Sequence, residues 1–450
     1  MPAATGAMCA VLSTIRFPHL ALAAIVIQTA ALTVLGATEP WTFERAIRYA
    51  STNSPDAQLA QHRIAAARAQ LEQANAALWP RLQLQSGYTH TDNPMLVFGA
   101  VLNQRAYSPS LDFNNVPNID DLNVAGLLTV PIYTGGQTTA RRQAAKANTQ
   151  AARYEAAAIH NALAFEVARA FHSVLKTREF IRATDAAVRA FEKNLGIARS
   201  RFEAGTILKT ELLDVSVRLA QAREDLVRAR NANALAERAL RNLLGLETAD
   251  FAVANTAPEV SAPTGDALAV RPELAAARQR AHAADAAVRG AEGGYRPRLS
   301  AFGGLDYDHG WRFNGDGKSY LAGMLAQWDI WDGKLTRGRV NEARAQRDAA
   351  REEERKLRLA IDLEVEQARL NLAAAGERLT VTAQSVAQAT ESVELTRARF
   401  EQGLAIATQL IDAETALTMA RVRRAEAEAD QRIAVAALRQ ALGQPQVPNQ

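Results

Sequence analysis

Cysteine is almost absent: the 450-residue chain has one, Cys9, close to its start. Disulfide frameworks and cysteine-based metal sites are therefore excluded. Histidine is scarce too, and the seven present include no pair at metal-ligand spacing on one helix, so no zinc site or other cofactor is implied. Beyond the N-terminal leader no stretch has the eighteen or so uncharged apolar residues that a membrane-crossing helix needs. Acidic and basic residues are both plentiful, 22% together, which argues against disorder. The net charge of +4 and pI near 9.3 arise from Arg interleaved with Glu. That pattern is a solvated helix face rather than a phosphate-binding stripe, so nucleic acid is not an expected partner.

What is present is one unit written twice. Arg199, Arg201, Phe202, Glu203 and Gly205, followed by Leu212, Asp214 and Leu244-Gly245, recur 198 residues later. The second copy reads Arg397, Arg399, Phe400, Glu401 and Gly403, followed by Leu410, Asp412 and Leu442-Gly443. A gapless match of this length marks an internal repeat, which sets the architecture before any local reading.

In chain order, residues 1–37 read as an export signal: Arg16, an apolar run from about Leu20, then small residues with cleavage near Ala37. The first repeat is expected over 38–245, a linker over 246–270, the second repeat over 271–443 and a short tail over 444–450. Residues 42–50 and 56–78 read as helix, the second stopped by Pro80. The period then changes. Leu82, Leu84, Ser86 and Tyr88 alternate with polar neighbours, predicting a strand near 81–90. A polar Asn- and Pro-bearing loop is expected over about 92–121, then a strand near 123–133.

Beyond Gly136, and as far as Ala204, proline is missing and glycine occurs once, at Gly196. A helix of that length would run about 105 Å. Val167, Val174, Ile181, Val188 and Leu195 recur every seven residues, and their counterparts Val365, Leu372, Leu379, Val386 and Val393 are all apolar. A heptad kept in both copies predicts coiled-coil packing. Gly205 breaks the helix, and a shorter one over about 210–244 returns antiparallel to it.

The second half repeats the plan. Arg271-Pro272-Glu273 matches Ser54-Pro55-Asp56, and Arg296-Pro297-Arg298 matches Trp79-Pro80-Arg81, both 217 residues on. Strands are expected near 298–308 and 320–331, and the fall in offset from 217 to 198 leaves 19 more residues between the strands of the first half. Gly315-Asp316-Gly317-Lys318-Ser319 lacks the first glycine of a phosphate loop, because Arg312 stands there, and is read as a turn between strands. No enzyme class is supported. Four strands per chain cannot close a barrel, whereas three chains would supply twelve. The strands carry Leu, Val, Ile, Trp and Tyr on one face and Gln, Arg, Ser and Asp on the other, with Tyr88, Tyr133, Tyr307, Trp328 and Trp331 near their ends.

On these residues the chain resembles the TolC-like outer-membrane efflux proteins over essentially the whole sequence after the leader. The duplicated Arg-Phe-Glu-x-Gly turns carry the resemblance, with the Pro80 and Pro297 strand starts. So do the junctions Val130-Pro131-Ile132-Tyr133-Thr134-Gly135-Gly136 and Asp329-Ile330-Trp331-Asp332-Gly333. The resemblance implies a mainly α fold with β: a homotrimer with a 12-stranded outer-membrane β-barrel continued by a long periplasmic α-helical barrel. It implies an export duct for efflux or type I secretion, set in outer-membrane lipid and docked to a periplasmic adaptor and an inner-membrane pump.

The turns at Gly205 and Gly403 would then be the periplasmic tip where an adaptor grips, through Arg201, Phe202, Arg399 and Phe400; as helix ends they also need glycine sterically. Glu211, Asp214 and Asp412 would form an acidic ring at the entrance, or merely favour a helix start. A different class, a periplasmic coiled-coil adaptor or structural rod without a pore, would require one helical hairpin rather than two. The cargo is not encoded in any motif.

Overall fold

The computed structural model describes residues 40–112, 114–247, 251–256 and 262–447. The expected signal segment with Cys9 and the last three residues of the expected tail lie outside them.

Two short helices open the chain: α1 (Phe43–Asn53), capped by the Thr42 side chain, and α2 (Pro55–Ala76), with proline in its first turn. Strand β1 (Arg81–Thr91), helix α3 (Pro94–Asn103) and strand β2 (Ile119–Tyr133) follow. The long helix α4 (Gln137–Glu203) and its return α5 (Lys209–Leu243) complete the first half. After a single turn, α6 (Ala267–Val270), the second half runs through α7 (Pro272–Glu292), β3 (Arg298–Gly310), β4 (Gly315–Gln327), α8 (Leu335–Glu401) and α9 (Ala407–Ala441). The long and return helices are 67 and 35 residues in both halves. The 198-residue offset therefore carries the boundaries of both the long and the return helix with it.

The heptad valines supply the packing. Val167, Val174 and Val188 are buried against α1, α5 and α9, and Val365 and Val393 are buried in the second half. Gly245 and Gly443, both at positive φ, place the ends of α5 and α9 against the starts of α2 and α7. A Cβ on Gly245 would lie 3.1 Å from the Asn53 carbonyl, and one on Gly443 would lie 3.4 Å from Arg271. The short helices thus stack end to end along the long ones, α2 and α5 along α4, α7 and α9 along α8. Among the described residues no helix is long and apolar enough to cross a membrane.

The four strands make one antiparallel sheet in sequence order, with β1 and β4 at its edges. The register puts Leu82, Leu84, Val124, Leu128, Val130, Leu305, Tyr320 and Met324 on one face. Gln83, Gln85, Asp121, Asn123, Asp306 and Asp308 fall on the other.

Two expectations are corrected here. The loop between the first strand pair contains α3, because Asn93 caps the start (its Oδ1 accepts from Met95 and Leu96 N–H) and Pro94 presets φ. The apolar residues behind that cap were hidden by the polar flanks. Residues 315–319 are not a turn: they begin β4, which stops at Gln327 and leaves Trp328–Trp331 outside the strand. The turn is residues 311–314. The glycines at the start of β4 serve close packing: a Cβ on Gly317 would fall 1.6 Å from the Asn103 carbonyl oxygen at the end of α3.

Candidate functional site at the helical turns

Gly205 and Gly403 sit at φ +75° and +78°, where a side chain would be strained, and each closes its long helix through hydrogen bonds back to the last turn. Thr206 N–H donates to Arg201 C=O, and Leu404 N–H to Arg399 C=O. So far the copies agree.

Their side chains do not. Arg201 reaches across to the other turn: its Nη1 donates to the Phe400 carbonyl at 2.8 Å, and its guanidinium lies over the Phe400 ring at 5.0 Å. Phe400 is 1% exposed, whereas its counterpart Phe202 is 38% exposed. Arg399 is exposed. One Arg-Phe pair thus staples the two hairpins together, and the other is presented outward beside Leu208 and Leu404, which are also exposed. Beneath the staple, Val188, Phe191, Val215, Leu219, Leu410 and Ile411 form an apolar cluster that joins α4, α5 and α9.

Glu211 carries out the helix-start role. It is half-buried, and its Oε2 accepts from the Ala407 N–H at 3.3 Å, so it caps α9 from the opposite hairpin and meets that helix's positive end. Asp214 and Asp412 are exposed, and no ion pair holds either carboxylate among the described residues.

Sequence reasoning missed one group. Glu414 is buried on α9 and pairs with Arg397 on α8, and Asn194 Nδ2 of α4 donates to it at 3.5 Å. Its counterpart in the first half is Ser216, so only the second hairpin is tied in this way. The signal was legible: a carboxylate in register with Ala407, Leu410 and Leu417 stands within an apolar stripe. Glu414→Ala is expected to cost about 2 kcal/mol in thermal unfolding in detergent, below the usual cost of breaking a buried pair because Arg397 is 28% exposed. A loss within experimental error would remove the pair from the account.

Further along α4, His172 is buried against Phe43 and Phe171, with Nδ1 lacking a partner. Burial, reinforced by Arg432 on α9, lowers its pKa to about 4. At the junction into α8, Asp332 accepts from the Thr336 N–H of the first turn at 2.7 Å, and hydrogen bonds from the Thr336 side chain and then its backbone hold the carboxyl below the usual range. No group of side chains among the described residues could hold a metal ion.

The duplicated hairpins and four-stranded sheet have known counterparts. Solved channels align across most of the chain: OprN, with TM-score 0.77, 19% identity and 89% of each chain covered; and Campylobacter jejuni CmeC, with TM-score 0.78, 17% identity, 89% of this chain and 85% of that one. The open state of Neisseria gonorrhoeae MtrE gives 0.74, 16%, 90% and 89%. Outer membrane protein TolC of Vibrio cholerae is 27% identical over 322 residues, 68% of this chain and 72% of that protein. The sequence profile of outer membrane efflux proteins matches residues 46–246 and 264–444, one match per repeat. With both repeats matched and the fold in agreement, the chain belongs to the outer membrane efflux protein family.

Proposed function

We propose that three copies of the chain close a twelve-stranded barrel in the outer membrane and extend it as a helical tunnel through the periplasm. The assembly is a passive exit duct with no catalytic step, fed at its tip by a periplasmic adaptor and an inner-membrane pump. The observation that carries this reading is the four-stranded sheet whose two edges, β1 and β4, have no partner among the described residues. Open edges are not tolerated in lipid, where every backbone N–H and C=O must be paired. Joining β4 of one copy to β1 of the next removes all of them, turns the apolar face to lipid and leaves the Gln- and Asp-bearing face around water.

Gly205, Gly403, Arg399 and Phe202 are the adaptor-facing part of the tip in this reading. Arg201 and Phe400 hold the two hairpins in register beneath it. Asp214 and Asp412 ring the entrance, while Glu211 supports α9. Efflux of small molecules and type I secretion of polypeptides are both served by such a duct.

Electron microscopy of detergent-extracted particles tests the assembly. A three-fold tube with a detergent belt at one end is expected; a soluble rod without a belt would reinstate the adaptor reading. For the entrance, Asp214→Asn with Asp412→Asn is expected to lower the cation-over-anion permeability ratio in planar bilayers by roughly 3- to 10-fold. An unchanged ratio would assign both residues to helix starts alone.

A further inference from the structure

The 19 additional residues between the first pair of strands build α3, and α3 lies on a particular side of the sheet. Gly310, Gly315 and Gly317 share a face with Asp121, Asn123, Asp306 and Asp308, which is the polar face. Each of these glycines admits the end of α3: a Cβ there would stand 2.1 Å from the Gln104 Oε1, 2.7 Å from the Gln104 carbonyl oxygen or 1.6 Å from the Asn103 carbonyl oxygen. Gln104 is fully buried and donates to the Asp120 carbonyl and to Asp121 Oδ1, both at 2.8 Å. Arg105 Nη2 donates to the Lys318 carbonyl at 3.1 Å. Val97 and Val101 are fully buried in a cluster with Ile119. The helix is therefore fixed to the β3–β4 end of the sheet, far along the chain from the helical turns, and on the side that lines the barrel.

Its opposite side is apolar and uncovered. Met95, Leu96 and Leu102 are 77%, 56% and 46% exposed. They lie on the helix face away from Val97 and Val101, with Gly99 between them, where an added Cβ would meet nothing within 4 Å. An apolar face turned into a water-filled duct is costly unless something covers it. Geometry supplies the cover. Twelve strands about 4.8 Å apart and tilted about 40° enclose a barrel about 24 Å across. Three helices, each about 10 Å wide with side chains, fill a circle of about 22 Å.

We propose that the three copies of α3 meet at the barrel axis through Met95, Leu96 and Leu102 and form an apolar plug at the extracellular mouth. The occupant of each exposed face is thus the same face of the other copies, continuous with the β1–β4 contact between them. The plug rests on the trimeric-barrel reading. It blocks ions and polar solutes by excluding water from the mouth, and cargo must part the three helices to leave.

Cysteine chemistry tests this, since Cys9 precedes the expected cleavage point and leaves no other cysteine in the chain. In outer-membrane vesicles, Leu96→Cys is expected to form interchain disulfides on mild oxidation. In intact cells, Gln85→Cys, on the lumen face of β1, is expected to react slowly with a membrane-impermeant maleimide. Adding Met95→Asp, Leu96→Asp and Leu102→Asp is expected to raise that rate tenfold or more. Leu96→Cys that never crosslinks, yet is alkylated from outside as fast as a surface residue, would overturn the plug and leave α3 as a rim facing solvent. Amine crosslinking of the wild-type vesicles separates the two levels. A trimer ladder without the Leu96 disulfide overturns the plug alone, whereas absence of a trimer overturns the barrel beneath it.

Discussion

Arg271→Ala is expected to lower the free energy of unfolding by about 2–3 kcal/mol, below the usual cost of breaking a buried charge network because its partners Glu273 and Glu364 are 31% and 42% exposed. Arg271 stands between α6 and α7 and is 8% exposed. Its Nε and Nη2 bind Glu273 at 2.9 and 3.3 Å, Nη2 binds Glu364 of α8 at 3.0 Å, and Nη1 donates to the Ala441 carbonyl at 2.9 Å. One guanidinium thus closes the C-terminus of α9, the start of α7 and the flank of α8. Burial alone would lower its pKa; the hydrogen bonds to Glu364 and Glu273 outweigh this and hold the charge more firmly. Both carboxylate contacts are screened in proportion to their exposure, and the rest of the loss falls on the Gln440 and Ala441 carbonyls left without a donor. Arg271→Lys should recover only part of the loss, because an ammonium cannot reproduce the fork. Denaturation followed by circular dichroism in detergent measures both variants, and a loss below 1 kcal/mol for alanine would show that the joint is held by packing of Leu274, Ile361 and Leu442 instead.

The corresponding place in the first half shows why such a joint is hard to read from sequence. Ser54 aligns with Arg271, and there Gly245 packs directly on Asn53 and Pro55. The repeat preserved the geometry of the corner and replaced its chemistry. What the sequence disclosed well was whatever geometry forces into both copies: heptad positions, positive-φ glycines and helix lengths. What it concealed was local to one copy. The apolar run of α3 sat in a stretch rich in Asn and Pro. Gly315 and Gly317 looked like turn residues because the helix end that demands their small size, Asn103 and Gln104, lies far earlier in the chain. Glu414 was visible as a charge in an apolar stripe, but its partners Arg397 and Asn194 lie on two other helices. At the tip, the matching Arg201-Phe202 and Arg399-Phe400 gave no sign that Arg201 and Phe400 would pair inward while Phe202 and Arg399 were offered outward. That choice depends on how the hairpins cross.

His172 should make the tunnel acid-sensitive, and here again the repeats differ, since Leu370 is its counterpart. The imidazole is buried against Phe43 and Phe171, with Arg432 of α9 nearby and Lys176, Arg178 and Glu179 on its own helix lining the adjacent cavity. Burial first, and Arg432 second, lower its pKa from 6.5 to about 4. Above pH 6.5 the ring is neutral whether the chain is folded or not, and stability is unaffected. Between pH 6.5 and about 4 the unfolded chain takes up a proton that the folded chain refuses, so stability falls as pH falls. The loss is on the order of 3 kcal/mol by the bottom of that window. Carboxylates titrate in the same region, so the informative quantity is the difference between wild type and His172→Phe, a volume-conserving change in an aromatic cluster. Melting both proteins at pH 7 and pH 4.5 should show the wild type losing more, with the gap closing at neutral pH. Parallel losses would mean that the folded tunnel accepts the proton, through water reaching Nδ1 or movement of Arg432, and that the α4–α9 groove is looser than its packing indicates.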